Sequence, residues 1–330
     1  MKISKNDILI ILPLSILLIL GMVMVTSSSI YIADGMTSNP FHFAQRQTLF
    51  VSFGLIAMLI FLVLPSDFLY RTDWIFMLLS IFLLIILFIP DVGTSVNGSI
   101  RWIRIGPINV QPSEICKFSL ILYISGYSVR RMSEINSLRS FLKPLILLFI
   151  ISILIMGQPD LGSTAIVCML VVGILFYAGI SFFQLTLLIL LIALLGYLAI
   201  TTSPMRLARV LAFTDPFAID VVQKAGWQLS NSLISIGQGG WLGVGLGNSF
   251  QKSFFLPEAH TDFIFAILVE ELGILGGLFL IILFVIMLIG LMLVALESFK
   301  KGRLFQGYTV FGIFLLISIQ TLLNIGVNIG

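Results

Sequence analysis

Long apolar runs constrain this chain more than any other feature of its sequence. Runs of about 18 residues or more recur along the chain, and a helix of about 20 apolar residues crosses the hydrocarbon core of a bilayer. Of the 330 residues, 59% are hydrophobic and 10% are charged, and the mean hydropathy is +1.14. These values predict an all-α polytopic membrane protein.

The apolar runs predict nine transmembrane helices within one transmembrane domain, residues 1–330. Residues 202–262 form a large extracytoplasmic loop between the seventh and eighth helices. The loops richest in Lys and Arg share one side of the membrane when the N-terminus is cytoplasmic, which is the orientation that the positive-inside rule favours. The predicted spans lie near residues 8–30, 44–64, 73–89, 112–128, 144–157, 162–180, 183–201, 263–294 and 307–325.

Charge and cysteine content exclude several classes of function. The net charge of +3 is too small, and the basic runs are too short, to indicate a nucleic-acid partner. Cys116 and Cys168 both lie in apolar segments, so neither a disulfide framework nor a metal site is predicted from them.

The stretch from Phe255 to Gly273 brings ionisable residues to the start of an apolar helix. Placing a carboxylate at or below a membrane surface costs free energy, so Asp262 is predicted to have a specific role. A helix that begins at Asp262 would carry Glu270 about 12 Å deeper. Asp262 is either the cap of this helix or a catalytic base, and the two roles are compatible. His260 is interpreted as a hydrogen-bonding partner rather than a metal ligand.

Two arginines in the loop of residues 90–111 oppose the positive-inside rule. Arg101 and Arg104 are three residues apart and would face the same way on one helical turn, with Trp102 at the headgroup level. The pair is either a cradle for a phosphate or pyrophosphate, or part of a re-entrant hairpin that meets lipid phosphates.

The fourth span opens with an ion pair. Pro112 suits the first position of a helix, which places Glu114 and Lys117 one turn apart on the same side. Their favoured role is to pack helices together within the membrane. Asp160, in the turn before the sixth span, is expected to cap that span, and lining the same outer cavity as Asp262 is the alternative.

Residues 237–247 contain six glycines in eleven positions. No strand precedes them, so a nucleotide-binding loop is rejected. They predict a flexible outer loop whose backbone approaches membrane or substrate.

Several motifs, in order, resemble the SEDS family (shape, elongation, division and sporulation), from the first span to Gly330. The segments 39–46 and 246–252 resemble its cell-division branch more closely than its elongation branch. The motifs are Gly98–Pro107, Gln111–Lys117, Gln158–Gly162, Leu256–Ala266 and Glu270–Gly273.

This resemblance implies a peptidoglycan glycosyltransferase that polymerises lipid II at the outer face of the bacterial cytoplasmic (inner) membrane, at the division septum. The implied partners are a class B penicillin-binding protein, which is a transpeptidase, and other divisome proteins. The family's essential aspartate matches Asp262, which we expect to accept the proton of the acceptor hydroxyl while the anomeric carbon is inverted. Arg101, Arg104 or a bound divalent cation such as Mg²⁺ would balance the pyrophosphate. The remaining residues expected at the substrate are Gln111, Glu114, Lys117, Asp160 and His260.

Two other functions and one departure stay open at the sequence level. A lipid II flippase or other transporter, and a noncatalytic divisome scaffold, would have the same helical fold. Members of the family continue through a tenth helix, whereas this sequence stops at Gly330. We therefore expect a polypeptide of this length to polymerise poorly by itself.

Overall fold

The computed structural model describes residues 4–96, 99–106, 108–253 and 255–330. Gly98 and Pro107, which belong to the first SEDS motif, lie outside the described residues. The described chain is mostly helical, with one small antiparallel sheet. Its helices are α1 (Lys5–Thr37), α2 (His42–Val63), α3 (Ser66–Ile86), α4 (Pro112–Arg130), α5 (Leu138–Met156), α6 (Leu161–Tyr177), α7 (Phe182–Thr201), α8 (Pro204–Ala212), α9 (Ile219–Val222), α10 (Trp227–Gly239), α11 (Ile264–Lys300) and α12 (Leu304–Ile329).

The chain divides into two compact units. The first unit contains residues 1–63, 196–290 and 320–330, and the second contains residues 64–195 and 291–319. Asp262 and His260 belong to the first unit. The predicted site residues before position 195 belong to the second.

Each predicted span coincides with a helix, and the helical membrane architecture is confirmed. In the described part of the chain, seven helices are long and apolar enough to cross a membrane: α1, α2, α3, α5, α7, α11 and α12. Helix α6 is apolar but has only 17 residues, and α4 is more polar than the others. The count of nine crossings stays a prediction.

Helix α4 is polar because it lies inside the second unit rather than against lipid. Its middle is almost wholly buried, including Leu120, Ile121 and Ile124, and it packs against α3 and α6. Small residues let these helices approach closely. A side chain at Gly126 would overlap the carboxylate of Asp73 on α3, which forms a 2.7 Å ion pair with Arg130.

The sheet comprises β1 (Gly93–Val96), β2 (Ser99–Ile105) and β3 (Ile108–Val110) in the order β1-β2-β3. Both pairings are antiparallel. The loop before α4 is therefore a set of hairpins, and the helical turn expected at Arg101 and Arg104 is wrong. Strand β2 contains three isoleucines and Trp102, and β-branched and aromatic residues favour a strand.

Helix α11 is broken near its start. Gly273 has φ 74° and ψ 178°, a backbone conformation that is essentially limited to glycine. The break frees two carbonyls before it and two amides after it. Unpaired backbone groups are costly in a membrane, so a break needs neighbouring donors and acceptors.

The glycine-rich segment supplies those partners. The amides of Val244 and Gly245 donate to the carbonyls of Glu270 and Glu271 at 2.9 and 3.0 Å. The amides of Ile274 and Leu275 donate to the carbonyls of Gly240 and Trp241 at 2.9 and 3.3 Å.

Glycine is needed for this close approach. A Cβ atom at Gly239 or Gly243 would overlap the backbone of α11. The expected flexible loop is therefore corrected, because these glycines permit contact with a broken helix of the same unit.

Candidate active site

Asp262 lies in a turn immediately before α11, and its side chain is exposed. The helix begins at Ile264 rather than at Asp262. Leu256, Ala259 and Phe263 are buried on either side of this turn and belong to the apolar core of the first unit. These apolar side chains anchor the turn in the core of the first unit. The exposed carboxylate of Asp262 is therefore carried on an anchored backbone.

Two asparagines of α12 bind the backbone of the same turn. The side-chain amides of Asn328 and Asn324 donate to the carbonyl of Asp262 at 2.9 and 3.2 Å. The side-chain oxygen of Asn328 accepts the amide of Ala266 at 3.0 Å. The same amide also donates to the carbonyl of Phe263 at 3.1 Å, so Asn328 is a second acceptor for one of the first amides of α11.

His260 packs its ring against Phe43, with 4.6 Å between the ring centres. In the part of the chain that the structure describes, the buried Nδ1 atom of His260 has no hydrogen-bond partner. Burial lowers the pKa of His260, while the charges of Glu258 and Asp262 oppose that shift. The neutral imidazole is thus favoured, in which one ring nitrogen donates a hydrogen bond and the other accepts one.

Below Asp262, the two glutamates of α11 are fully buried and have different partners. Glu271 forms a 2.6 Å ion pair with Lys252, which is itself 1% exposed. The Ser27 hydroxyl on α1 donates to Glu271 at 2.8 Å and accepts from Lys252 at 3.0 Å. Helix α1 and the loop before Asp262 are therefore tied to one carboxylate of α11.

Glu270 accepts hydrogen bonds from neutral donors. The hydroxyls of Ser235 and Ser249 donate at 2.6 Å each, and the amide of Phe250 donates at 2.8 Å. These bonds satisfy both carboxylate oxygens of Glu270, and a buried polar group needs such partners. Glu270 thereby holds α10 and the loop of residues 249–251 against α11.

In the second unit, the sheet separates Arg101 from Arg104. Residues three apart on a strand point to opposite faces, so the two side chains do not form the expected shared face. Arg101 donates to the carbonyl of Pro159 at 2.6 Å and lies 3.8 Å from the carboxylate of Asp160. Arg104 is exposed. Of the two guanidinium groups, that of Arg104 is the more available to an anion.

Asp160 is the N-cap of α6, as the capping interpretation predicts. Its carboxylate accepts the Ser163 amide at 3.0 Å and the Ser163 hydroxyl at 2.8 Å. Asp160 is buried, and its contact with Arg101 connects β2 to the start of α6.

The predicted ion pair at the start of α4 is present. Lys117 is buried and donates to Glu114 at 2.6 Å, while half of the Glu114 side chain is exposed. Pro112 occupies the first turn, and Gln111 is the N-cap residue but makes no side-chain capping bond. A buried ammonium with a half-exposed partner leaves one side of the pair open to solvent or substrate.

The family model for FtsW, RodA and SpoVE, described as a cell cycle protein, matches residues 7–330. This chain belongs to the FtsW/RodA/SpoVE family.

Two similar relatives have the same name. The probable peptidoglycan glycosyltransferase FtsW of Legionella pneumophila is 41% identical over 316 residues, covering 95% of this chain and 79% of that protein. The probable peptidoglycan glycosyltransferase FtsW of Alkalilimnicola ehrlichii is 42% identical over 94% of this chain and 77% of that protein. The SEDS resemblance is confirmed.

Two solved structures share the fold. A peptidoglycan synthase complex that coordinates polymerization and crosslinking contains a chain that matches with a TM-score of 0.77 at 24% identity, over 97% of this chain and 86% of that one. The rod shape determining protein RodA of Thermus thermophilus matches with a TM-score of 0.67 at 22% identity, over 97% and 84% of the two chains.

For a member of the FtsW/RodA/SpoVE family, the structure adds residues that the sequence motifs did not single out. Lys252, Ser27 and Asn328 were missed because their partners are 19, 244 and 66 residues away in the sequence. One signal was available for Lys252. Two adjacent glutamates inside an apolar helix require a cation or several donors, and few lysines lie in the preceding loop.

No metal site is identified among the residues that the structure describes. They include no group of three or more His, Cys, Asp or Glu side chains placed to hold a metal ion. A divalent cation at the substrate stays a prediction, because Mg²⁺ is usually held by one or two carboxylates together with substrate phosphates rather than by a larger group of protein side chains.

Proposed function

We propose that this chain is a peptidoglycan glycosyltransferase that polymerises lipid II, with Asp262 as the catalytic base. One observation carries the assignment of the base. Asp262 presents an exposed carboxylate while its backbone is held by Asn324 and Asn328. Membership of the FtsW/RodA/SpoVE family and relatives named peptidoglycan glycosyltransferase support the reaction.

The reaction needs a base at the acceptor sugar. A sugar hydroxyl attacks the anomeric carbon of the donor, the bond to the lipid pyrophosphate breaks, and the configuration at that carbon inverts. A carboxylate that accepts the hydroxyl proton in the transition state contributes about 10²–10⁴-fold to the rate.

The leaving pyrophosphate needs positive charge. Arginine binds phosphate through two parallel N–H bonds. We propose Arg104 for this role ahead of Arg101, since the donors of Arg101 are engaged by the carbonyls of Pro159 and Gln158. We propose that Lys117 and Glu114, with Gln111, Asp160 and His260, contribute to substrate binding.

We further propose the setting of the reaction. The chain would act at the outer face of the cytoplasmic membrane at the division septum. Its partner would be a class B penicillin-binding protein, which crosslinks the strands that this chain makes. The solved complex that coordinates polymerization and crosslinking supports such a pairing.

The test compares Asp262→Asn with Asp262→Glu in the full-length protein, reconstituted in liposomes with lipid II and its transpeptidase partner. Asparagine keeps the size of the side chain but cannot accept a proton, so we expect polymer formation to fall by roughly 10²-fold or more. Glutamate keeps the basicity and misplaces it, so a smaller loss is expected. The measurement is the rate of glycan-strand formation at saturating lipid II.

The liposome assay tests the transporter function, and a cell-division assay tests the scaffold function. Movement of labelled lipid II across the liposome membrane without polymer would identify a carrier and overturn the enzymatic proposal. Full activity of Asp262→Asn in supporting cell division would identify a scaffold. An Asn248→Asp variant, which changes an exposed residue of the same loop region, is the matched control.

A further inference from the structure

Asn328 uses every hydrogen-bonding group of its side chain on the turn that carries Asp262 or on its own helix. The residue is 0% exposed. Its Nδ2 atom donates to the carbonyls of Asp262 at 2.9 Å and Asn324 at 2.8 Å, and its Oδ1 atom accepts the amide of Ala266 at 3.0 Å. Its own carbonyl accepts the Ser232 hydroxyl at 2.8 Å, which ties this part of α12 to α10.

Asn324 adds a second contact from one turn earlier in α12. Residues four apart on a helix lie on the same face, so both side-chain amides reach the same carbonyl. Asn324 donates to the carbonyl of Asp262 at 3.2 Å. Asn324 is exposed, whereas Asn328 is buried. Substitution of the buried Asn328 is therefore expected to affect folding more than substitution of the exposed Asn324.

These contacts do more than cap a helix. Capping the amide of Ala266 requires only an acceptor, and Oδ1 of Asn328 provides it. The donors of Asn328 and Asn324 instead hold the carbonyl of Asp262, which fixes the peptide plane next to the Cα atom that carries the carboxylate. A catalytic group that is misplaced by about 1 Å can lose roughly 10²-fold in rate.

We propose that Asn328, with Asn324 in support, is a positioning residue for the carboxylate of Asp262. This inference rests on the proposed function, because a fixed backbone at Asp262 matters for the rate only if Asp262 is the catalytic base. The asparagines touch neither substrate nor reacting atoms in this role. They act through the backbone of the residue that does.

Three variants of the full-length protein separate positioning from capping. Asn328→Asp keeps an acceptor for the amide of Ala266 and removes the donor to Asp262. Asn328→Leu removes both. Asn324→Ala removes the second donor at an exposed position. Asn248→Asp is the control for the introduced charge, since Asn248 is exposed and its side chain donates to the carbonyl of Val244 at 3.3 Å rather than to the turn that carries Asp262.

Two readouts are measured together. The first is kcat and KM for polymerisation of lipid II, with kcat taken from the plateau of the pH profile so that variants of different charge are compared on the same basis. The second is hydrogen exchange of the peptide that contains the Ala266 amide.

We expect Asn328→Asp to lower kcat by roughly 10- to 100-fold with little change in KM, while the Ala266 amide stays protected. Asn328→Leu should lower kcat and also speed that exchange. Asn324→Ala should lower kcat less, and the control should match the wild type.

An unchanged kcat in Asn328→Asp would overturn the inference, and so would a loss that appears only together with faster exchange at Ala266. If the Asn328 variants do not fold, Asn324→Ala decides, because an unchanged kcat there overturns the inference and a lower kcat supports it. Failure of the proposed function is recognised separately. In that case Asp262→Asn itself polymerises as fast as the wild type.

Discussion

At the residue scale, Lys252 shows how a charge is kept inside this protein. Its ammonium lies 2.6 Å from Glu271 and 3.0 Å from the Ser27 hydroxyl, and it is also 5.9 Å from the centre of the Tyr31 ring. Removing two charges from water is expensive, and their attraction repays it only when the geometry is good and the remaining donors are used. Lys252 satisfies both conditions.

The pair predicts a specific pattern of stability. Lys252→Met should lower the free energy of unfolding by about 3–5 kcal/mol, because Glu271 would be left buried without its cation. The double variant Lys252→Met, Glu271→Leu should recover most of that loss, since neither charge remains to be paired. The measurement is thermal unfolding in detergent micelles. A double variant that is no more stable than the single one would show that the pair contributes more than charge neutrality.

Residue chemistry explains which contacts the sequence could predict. Glu114 and Lys117 are three apart on one helix, so their pairing follows from spacing alone. The capping role of Asp160 follows from its position before an apolar run. Lys252 and Glu271 are nineteen residues apart, and Ser27 is on another helix. Contacts of that kind depend on how the helices pack, which no local pattern contains.

At the scale of elements, the broken helix α11 and the glycine-rich segment of residues 237–247 depend on each other for their backbone hydrogen bonds. Each supplies what the other lacks, because the break exposes backbone groups and the glycines allow another backbone to reach them. The sequence indicated close approach through its glycines, but it did not indicate the partner. The strand β2 was missed for a related reason, since a spacing of three fits a helical turn unless the pairing strands are known.

Substitution of Gly273 should disrupt this arrangement more than substitution elsewhere in it. Gly273→Ala should destabilise the protein by about 1–3 kcal/mol from backbone strain alone, before any effect of the new Cβ. That Cβ would also overlap the carbonyl of Trp241 and the amide of Gly243. Gly21→Ala in α1 is the matched control, because nothing lies within 4 Å of its Cβ position. Equal thermal stability of the two variants would contradict the account of the break.

At the scale of the whole molecule, hydropathy predicted where the helices lie because lipid requires long apolar segments. It is less informative for helices that other helices surround. Helix α4 is polar and α6 is short, and both are largely buried within the second unit. A helix that faces protein needs less apolar surface than one that faces lipid. The number of crossings is therefore the property that most needs measurement.

Four variants, each with one added cysteine, measure the number of crossings. With the N-terminus in the cytoplasm and nine crossings, the predicted orientation places Thr37 and Thr202 outside and Ser133 and Lys301 inside. We expect Thr37→Cys and Thr202→Cys to react with a membrane-impermeant maleimide in intact spheroplasts. Ser133→Cys and Lys301→Cys should react only after the membrane is permeabilised. All four positions are exposed, so lack of labelling would reflect the side of the membrane rather than burial.

Each outcome points to a particular helix. If α4 did not cross, Ser133→Cys would be labelled in intact spheroplasts, whereas Thr37→Cys would be labelled as before. If only α6 failed to cross, Ser133→Cys would stay protected and Thr202→Cys would become protected as well. The wild-type chain gives the background, because its two thiols, Cys116 and Cys168, are buried. The proposed catalytic base follows Thr202 with no predicted crossing between them, so labelling of Thr202→Cys from outside is also a condition for Asp262 to act on a substrate at the outer face.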